Sequence, residues 1–186
     1  IGDVKLTEEG TFGEEINRLW EKLRQYYDFI VMRDDEYLRW KYCDDRAGNF
    51  KIIKARRDDE VVGYITLIIN DYYEDYPVGY IADLITLTGE KHIANKLIEE
   101  SIRYFEEKNV NLVNLLSPED HYYTEVLRKN GFINSRIGLN IFYQKLRDNR
   151  ELFFNKNNPK ILLSWGDLDV FPVEIPKYSP LSRLII

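Results

Sequence analysis

The chain has 186 residues, of which 44% are apolar and 31% are charged, and its formal net charge is −6. This length and balance predict one globular domain with a sizeable core. The negative balance argues against a DNA- or RNA-binding role, which needs basic side chains to meet phosphates, and against attachment to an anionic membrane.

Cysteine and histidine are too few for several kinds of site. Cys43 is the only cysteine, so an intrachain disulfide and a cysteine-based zinc site are excluded, and His92 and His121 alone do not predict a metal site. No apolar run reaches the ~20 residues that span a bilayer, and no signal peptide is evident, so we expect a cytoplasmic protein. Because the first residue is Ile1 and the only methionine is Met32, we expect a piece of a longer protein.

Two helices are predicted near the start of the chain. Apolar side chains recur every three or four residues over 11–27, which predicts the first helix. Thr11 and Glu14 have the spacing of a capping box at its start. A second, shorter helix is predicted over 34–43, with an aspartate at its start as the N-cap.

Strands dominate the middle of the chain. The runs 50–57 and 61–70 predict two strands joined by a short hairpin through the polar triplet 58–60. Both alternating faces are apolar in 61–70 and again in 78–87, as in central strands that are covered on both sides. The elements predicted after them are a helix over 90–108, a strand over 110–116, a helix over 118–131 and a strand over 132–146.

This order of elements predicts an α/β (α+β) fold with a mixed central sheet and helices on both faces. The early strands are joined by short turns and pair antiparallel, whereas the later strand-helix-strand unit needs a crossover and pairs parallel. We assign residues 1–147 to this domain and residues 148–186 to a C-terminal extension that packs on the same domain.

The stretches 79–87 (GYIADLITL) and 127–132 (LRKNGF) resemble the fourth strand and the last helix-to-strand corner of the GNAT superfamily of N-acetyltransferases. The likeness covers about residues 11–147 and implies a GNAT-like acyl-CoA N-acyltransferase fold. It also implies transfer of an acyl group from acetyl-CoA, or another acyl-CoA, to a primary amine. Segments 33–42 and 165–169 are similar to a GNAT-like group in which such a unit is the C-terminal half of a longer protein. An N-terminal GNAT-like domain, or a homodimer, is therefore the implied partner.

The resemblance also implies where the acyl-CoA is held. In the family, small residues before a helix let backbone N–H groups approach the pyrophosphate at the positive end of that helix. The matching stretch is 88–95, where Ala94 stands for one small residue, His92 replaces a glycine and Glu90 adds a negative charge. The implied acyl-CoA-binding residues are Ile85, Leu87, Lys91, His92, Ile93, Ala94, Asn95 and Asn114.

Three residues are candidates for the catalytic proton transfers. Alternation places Asp83 on the same face as Ile81 and Ile85 in an apolar strand, where burial raises a carboxyl pKa towards that of a general base. In the resembling family an acidic residue on this strand does that work; the alternative is a structural carboxylate paired with an arginine or a backbone N–H. The family's acid is a tyrosine where this chain has Leu127, so Tyr122 or Tyr123, about one turn earlier, is the expected replacement. The alternative for both tyrosines is packing with a wet hydroxyl.

The acceptor is expected to be a small amine. The loop 71–77 interleaves acidic residues with tyrosines, which suits a cationic amine, although it equally suits a partner-binding loop or a solvated turn. Two other functions stay open. One is a non-catalytic GNAT-like half that serves substrate recognition or assembly, which the altered phosphate loop and Leu127 favour. The other is an aminoacyl transferase that uses aminoacyl-tRNA as donor.

Overall fold

The computed structural model describes residues 3–70, 75–118, 121–135 and 159–168. Seven strands, four α-helices and one short 3-10 helix lie in these ranges. In chain order they are β1 (Lys5–Glu9), α1 (Glu15–Leu23), β2 (Phe29–Ile30), α2 (Asp35–Tyr42), β3 (Lys51–Arg57), β4 (Glu60–Asn70), β5 (Val78–Thr86), α3 (Lys91–Glu107), β6 (Leu112–Leu115), α4 (Tyr123–Lys129), β7 (Ile161–Leu162) and the 3-10 helix Trp165–Asp167.

Five of the strands form the main sheet, in the order β1-β3-β4-β5-β6. The pairs β1–β3, β3–β4 and β4–β5 are antiparallel, and β5–β6 is parallel. The β3–β4 hairpin turns through Asp58 and Asp59, whose φ angles of 47° and 65° are the left-handed values that a tight two-residue hairpin requires. The short strands β2 and β7 pair parallel in a separate sheet.

Helices cover both faces of the main sheet. Helices α3 and α4 pack on one face, where Leu97 and Phe105 join Ile65 and Leu84 in one buried cluster. Helices α1 and α2 pack on the other face, where a second cluster is formed by Phe12, Ile16, Leu19, Leu38, Tyr64 and Ile85, among others. The predicted mixed sheet with helices on both faces is confirmed.

Several predicted boundaries at the start of the chain were wrong. Strand β1 was not predicted, because three of the five residues in its KLTEE sequence are charged and it lies at the sheet edge, where the alternating apolar signal is weak. Helix α1 begins at Glu15, and the predicted capping box is absent: Glu14, at the N-cap, makes no side-chain cap and the Thr11 hydroxyl donates to the Phe12 carbonyl. The N-cap of α2 is Asp34, whose side chain accepts from the Tyr37 N–H as expected.

The second half of the fold also differs in detail. Helix α4 begins at Tyr123 and not at Pro118, since Pro118 opens a turn closed by the His121 N–H. Residues 132–135 are not in a strand, and the rest of the strand predicted over 132–146 lies outside the described residues. Of the predicted extension 148–186, the described part 159–168 packs against β5; its assignment as a whole stays a prediction. No helix in the described part of the chain is long and apolar enough to cross a membrane.

Candidate active site

One edge of β5 is open over its C-terminal half. The parallel β5–β6 pairing runs from Val78–Leu112 to Ile81–Leu115 and then stops, while β5 continues to Thr86. β6 ends at Leu115, so beyond that point β5 has no partner strand on this side. The gap between β5 and the chain that follows β6 is lined by Leu84 of β5, by Leu115–Ser117, by Tyr123 of α4 and by Leu162–Ser164.

A β-bulge at Ala82 sets which side chains of β5 face which helices. Thr66 of β4 pairs with Asp83 and Leu67 pairs with Ile81, so Ala82 is the extra residue. Across the bulge, Ile81 faces the α3 side, whereas Asp83 faces the α1–α2 side. The predicted common face is therefore wrong for Asp83 and Ile81, because simple alternation does not hold through a bulge. It is confirmed for Ile85, which lies beyond the bulge on the α1–α2 side with Asp83.

Asp83 lies in a buried charged cluster and is not open to solvent. Its Oδ2 accepts from the Tyr64 hydroxyl at 2.8 Å and lies 2.9 Å from Nε of Arg33, whose side chain is 1% exposed. The second anion of the cluster is Asp167, 2.6 Å from the Arg33 Nη2 atom. Burial raises the pKa of Asp83, and Arg33 opposes that rise. This geometry supports the structural alternative for Asp83; its role as a base stays a prediction.

Arg33 links the two segments, 33–42 and 165–169, that resemble a GNAT-like subgroup. Besides Asp167, its Nη2 atom donates to the Ser164 hydroxyl at 3.3 Å. Ser164 and Asp167 in turn form a capping box around the 3-10 helix. Gly166 of that helix lies so close to the bulge that a Cβ atom there would be 3.1 Å from the Ala82 carbonyl oxygen. The segment 161–168 is thus anchored over the bulge of β5.

The loop between β5 and α3 has features of an anion site. Gly89 has a φ of +85°, which favours glycine, and the N–H groups of Gly89 and His92 have no acceptor among the described residues. Glu90 does not leave an unpaired charge there, because the Nη1 and Nη2 atoms of Arg57, at the end of β3, donate to it at 3.0 and 3.2 Å. These bonds lower the pKa of Glu90. The negative charge expected to oppose a phosphate is therefore neutralised within the protein.

The side chains predicted around this loop are not brought together on one surface. Lys91 pairs with Glu125 of α4, and His92 lies 3.3 Å from Glu90. Asn95 accepts from the Asn130 side chain at 2.8 Å and donates to Glu99, so it joins α3 to α4. Ile93 and Ala94 are fully buried in the core, and only their backbone belongs to the start of the helix.

The backbone groups on the unpaired edge of β5 do not belong to Ile85 and Leu87, the residues predicted to bind the acyl-CoA there. Leu87 donates its N–H to the Val62 carbonyl of β4, and Ile85 pairs with Tyr64, so both belong to the β4 side. The groups of Thr86 point the other way, to the open edge. Asn114 of β6 bonds the Tyr80 hydroxyl. Thr86 was missed because a pattern of apolar residues does not show which edge an N–H group faces.

Tyr122 and Tyr123 both reach Thr86. The Tyr123 hydroxyl accepts from the Thr86 N–H at 3.0 Å. The Tyr122 hydroxyl lies 2.7 Å from Thr86 Oγ1 and donates to the Thr86 carbonyl at 3.2 Å. Burial raises the pKa of both phenols. Leu127 packs against the core and provides no polar group.

A histidine–tyrosine pair adjoins this cluster and was not predicted. His121 Nε2 lies 2.8 Å from the Tyr27 hydroxyl, and the two rings are stacked. Burial lowers the pKa of His121 to about 4, so the imidazole is neutral at pH 7. The described residues contain no group of three or more metal-ligating side chains that could hold a metal ion.

Comparison with known proteins identifies the family. The model of the acetyltransferase (GNAT) family matches residues 16–132. The chain belongs to the GNAT family. The match spans α1 to α4, including the open edge of β5, so the resemblance seen in 79–87 and 127–132 is confirmed. The family and the fold are those of N-acetyltransferases. A search of curated protein sequences gave no significant match.

Solved structures share the fold at low sequence identity. An aminoglycoside acetyltransferase from an uncultured soil metagenomic sample is 23% identical, with a TM-score of 0.53 over 77% of this chain and 97% of that one. Glucosamine-6-phosphate N-acetyltransferase from Arabidopsis thaliana is 14% identical, with a TM-score of 0.57 over 76% and 99%. AAC(6')-Iy in complex with a bisubstrate analogue, CoA-S-monomethyl-acetylneamine, is 20% identical, with a TM-score of 0.52 over 77% and 98%.

Proposed function

We propose that this chain transfers an acetyl or other acyl group from acyl-CoA to the primary amine of a small molecule. The observation that carries the proposal is the open edge of β5 beyond Ile81, which ends beside the N-terminus of α3. An extended, amide-containing arm can pair with such an edge, and a pyrophosphate can bind the helix N-terminus next to it. GNAT membership supports the same donor.

The donor would be held by backbone more than by side chains. The N–H groups of Gly89 and His92 would meet the pyrophosphate, and Lys91 at the first turn of α3 would add a positive charge. Arg57 would assist by neutralising Glu90. Leu84 and Thr86 would offer their backbone groups to the pantetheine arm.

The reaction requires one bond exchange and two proton movements. The amine nitrogen forms a C–N bond with the thioester carbonyl, the C–S bond breaks, and the sulfur leaves as a thiolate. The amine proton goes to a base, and the thiolate takes up a proton. Asp83 as base and Tyr122 or Tyr123 as acid are the roles predicted from the sequence. Because Asp83 is buried in its ion pair with Arg33, it would receive the amine proton through a relay of water.

The first prediction concerns binding of the donor. Titration calorimetry of the chain with acetyl-CoA and with CoA is expected to show micromolar binding. Lys91→Ala should weaken it several-fold, because one charge near the pyrophosphate is lost. Lys108→Ala is the matched control, since Lys108 is an exposed lysine at the other end of α3. Absence of binding at millimolar acetyl-CoA would rule out an independent acyltransferase.

The acceptor can then be sought among small amines. The solved structures with this fold include enzymes named for aminoglycosides and for glucosamine-6-phosphate, so both classes should be screened by release of the CoA thiol. Tyr72 and Tyr73 of the proposed acceptor loop lie outside the described residues. An N-terminal GNAT-like domain, or a second copy of the chain, stays a predicted partner.

A second candidate function is a non-catalytic GNAT-like half. It is favoured by Tyr122 and Tyr123, which already occupy the backbone groups of Thr86 that a donor would need. In that case the chain would serve recognition or assembly beside an active half. No observation here favours the aminoacyl-tRNA alternative.

A further inference from the structure

We propose that Tyr122 and Tyr123 form a latch on the acyl-CoA site: their phenols occupy the open-edge groups of Thr86 and are displaced when the donor binds. This inference rests on the proposed function, because it concerns the same open edge of β5. It assigns a regulatory role to two residues for which the sequence predicted proton donation or packing.

The bonds to Thr86 are those that a neighbouring strand would make. The Thr86 N–H donates to the Tyr123 hydroxyl at 3.0 Å, and its carbonyl accepts from the Tyr122 hydroxyl at 3.2 Å. In an open sheet edge these two groups pair with the amides of an added chain. The phenols therefore satisfy the donor and the acceptor that β6 leaves unpaired.

Capping of this kind is needed in the absence of ligand. Thr86 is fully buried, and a buried N–H or carbonyl without a partner costs about 1–3 kcal/mol. The pantetheine arm of CoA carries amide groups that can replace both phenols at Thr86. The exchange leaves the backbone satisfied before and after binding, at the cost of moving two side chains.

The two tyrosines are placed where they can move without unfolding the helix. Tyr122 is the N-cap residue of α4 and Tyr123 its first residue, and neither side chain caps the helix. Tyr122 is only partly buried, whereas Tyr123 is fully buried and lines the gap between β5 and β6. We therefore expect Tyr122 to leave first and Tyr123 to yield to the entering arm.

A latch has a measurable signature that neither a catalytic acid nor a packing residue shares. Removing a phenol hydroxyl removes a competitor for Thr86, so donor affinity should rise. Each net hydrogen bond is worth about 0.5–1.5 kcal/mol, so each variant should bind about two- to tenfold more tightly. A catalytic acid would lose turnover without a gain in affinity, and a packing residue would weaken binding.

The experiment compares Tyr122→Phe, Tyr123→Phe and the double variant with the wild-type chain. Acetyl-CoA affinity is measured by titration calorimetry, and amide hydrogen exchange is followed by mass spectrometry on a peptide that contains Thr86. Tyr104→Phe is the matched control, since Tyr104 is a partly buried tyrosine of α3. It lies about 20 Å along that helix from its first residue. Circular dichroism at each step checks that the variants are folded.

The expected result is tighter binding by both single variants, with the double variant the tightest and Tyr104→Phe unchanged. In Tyr123→Phe without ligand, the Thr86 amide should exchange faster than in the wild type, and acetyl-CoA should restore its protection. Equal or weaker binding by the folded variants, with the wild type binding normally, would overturn the latch and leave the acyltransferase proposal intact. Failure of the wild type and of every variant, the double one included, to bind acetyl-CoA would overturn both proposals.

Discussion

At the scale of single residues, Arg33 has the most consequential contacts. It forms ion pairs with Asp83 and Asp167, which lie 50 and 134 residues away along the chain, and all three side chains are at most 2% exposed. One cation thus compensates two buried anions. Removal of one member of a buried ion pair leaves an uncompensated charge, which costs far more than loss of a surface pair.

Arg33→Met is predicted to destabilise the protein by roughly 3–5 kcal/mol, because Asp83 and Asp167 would remain buried without a cation. Urea unfolding followed by circular dichroism measures the loss. Arg24→Met is the matched control, since the Arg24–Glu21 pair is about half exposed and should contribute less than 1 kcal/mol. If both variants lose the same stability, the buried cluster does not stabilise the fold.

The sequence indicated Asp83 as a residue of interest but not its partners. An acidic residue inside an apolar strand is visible as a pattern. Its role depends on whether an arginine from a distant segment reaches it, and a pattern contains no information on such contacts. For the same reason Thr86 was missed, although both tyrosines that contact it were named.

At the scale of elements, β5 shows that the apolar pattern predicts the extent of a strand but not its register. Its extent was predicted within one residue at its C-terminal end, because 78–86 is apolar on both faces. The same double-sided pattern conceals the bulge at Ala82, since every register of such a strand buries apolar side chains. Which backbone groups face the open edge could therefore not be predicted.

The packing of α3 on β5 depends on a glycine. A Cβ atom at Gly79 would lie 2.6 Å from Cε1 of Phe105, which is fully buried. Gly79→Ala should therefore destabilise the protein by about 1–3 kcal/mol through overpacking. Gly10→Ala is the control, because a Cβ atom there has no atom within 4 Å, and its effect should stay within about 0.5 kcal/mol.

Thermal and urea unfolding of the two alanine variants test this contact. The double variant Gly79→Ala with Phe105→Leu should lose less stability than the sum of its single variants, since the smaller side chain relieves the overlap. Additive losses, or equal stability of the two alanine variants, would show that α3 can move away from β5 at little cost.

At the scale of the whole molecule, the fold was predictable where the order of elements along the chain determines how they pair. The succession of hairpins followed by strand-helix-strand units leads to a mixed sheet, and the helices must cover its two apolar faces. The edge strand β1, the strand β2 and the pairing of β2 with β7 were not predicted, because short or charged strands acquire their partners only in the folded chain. The position of 161–168 over the bulge is a contact of the same long-range kind.

Docking of the segment 161–168 can be tested at Gly166. A Cβ atom there would lie 1.9 Å from the Tyr42 hydroxyl oxygen, and Tyr42 is too buried to swing aside. Gly166→Ala should therefore displace the segment from β5. In the folded chain the Lys160 N–H donates to the Asp28 side chain, and its carbonyl accepts from the Asp28 N–H, which restrains the peptide bond after Lys160.

Trypsin should therefore cleave after Lys160 several-fold faster in Gly166→Ala than in the wild type. The cleavage is followed by mass spectrometry of the new fragment that begins at Ile161. Adding Tyr42→Phe removes the closest atom and should slow the cleavage part of the way back. The rescue is incomplete because the Ala82 carbonyl oxygen still lies 3.1 Å from the added methyl group. Cleavage at the wild-type rate in Gly166→Ala would mean that the segment tolerates the methyl group, so its close fit over the bulge would not hold it in place.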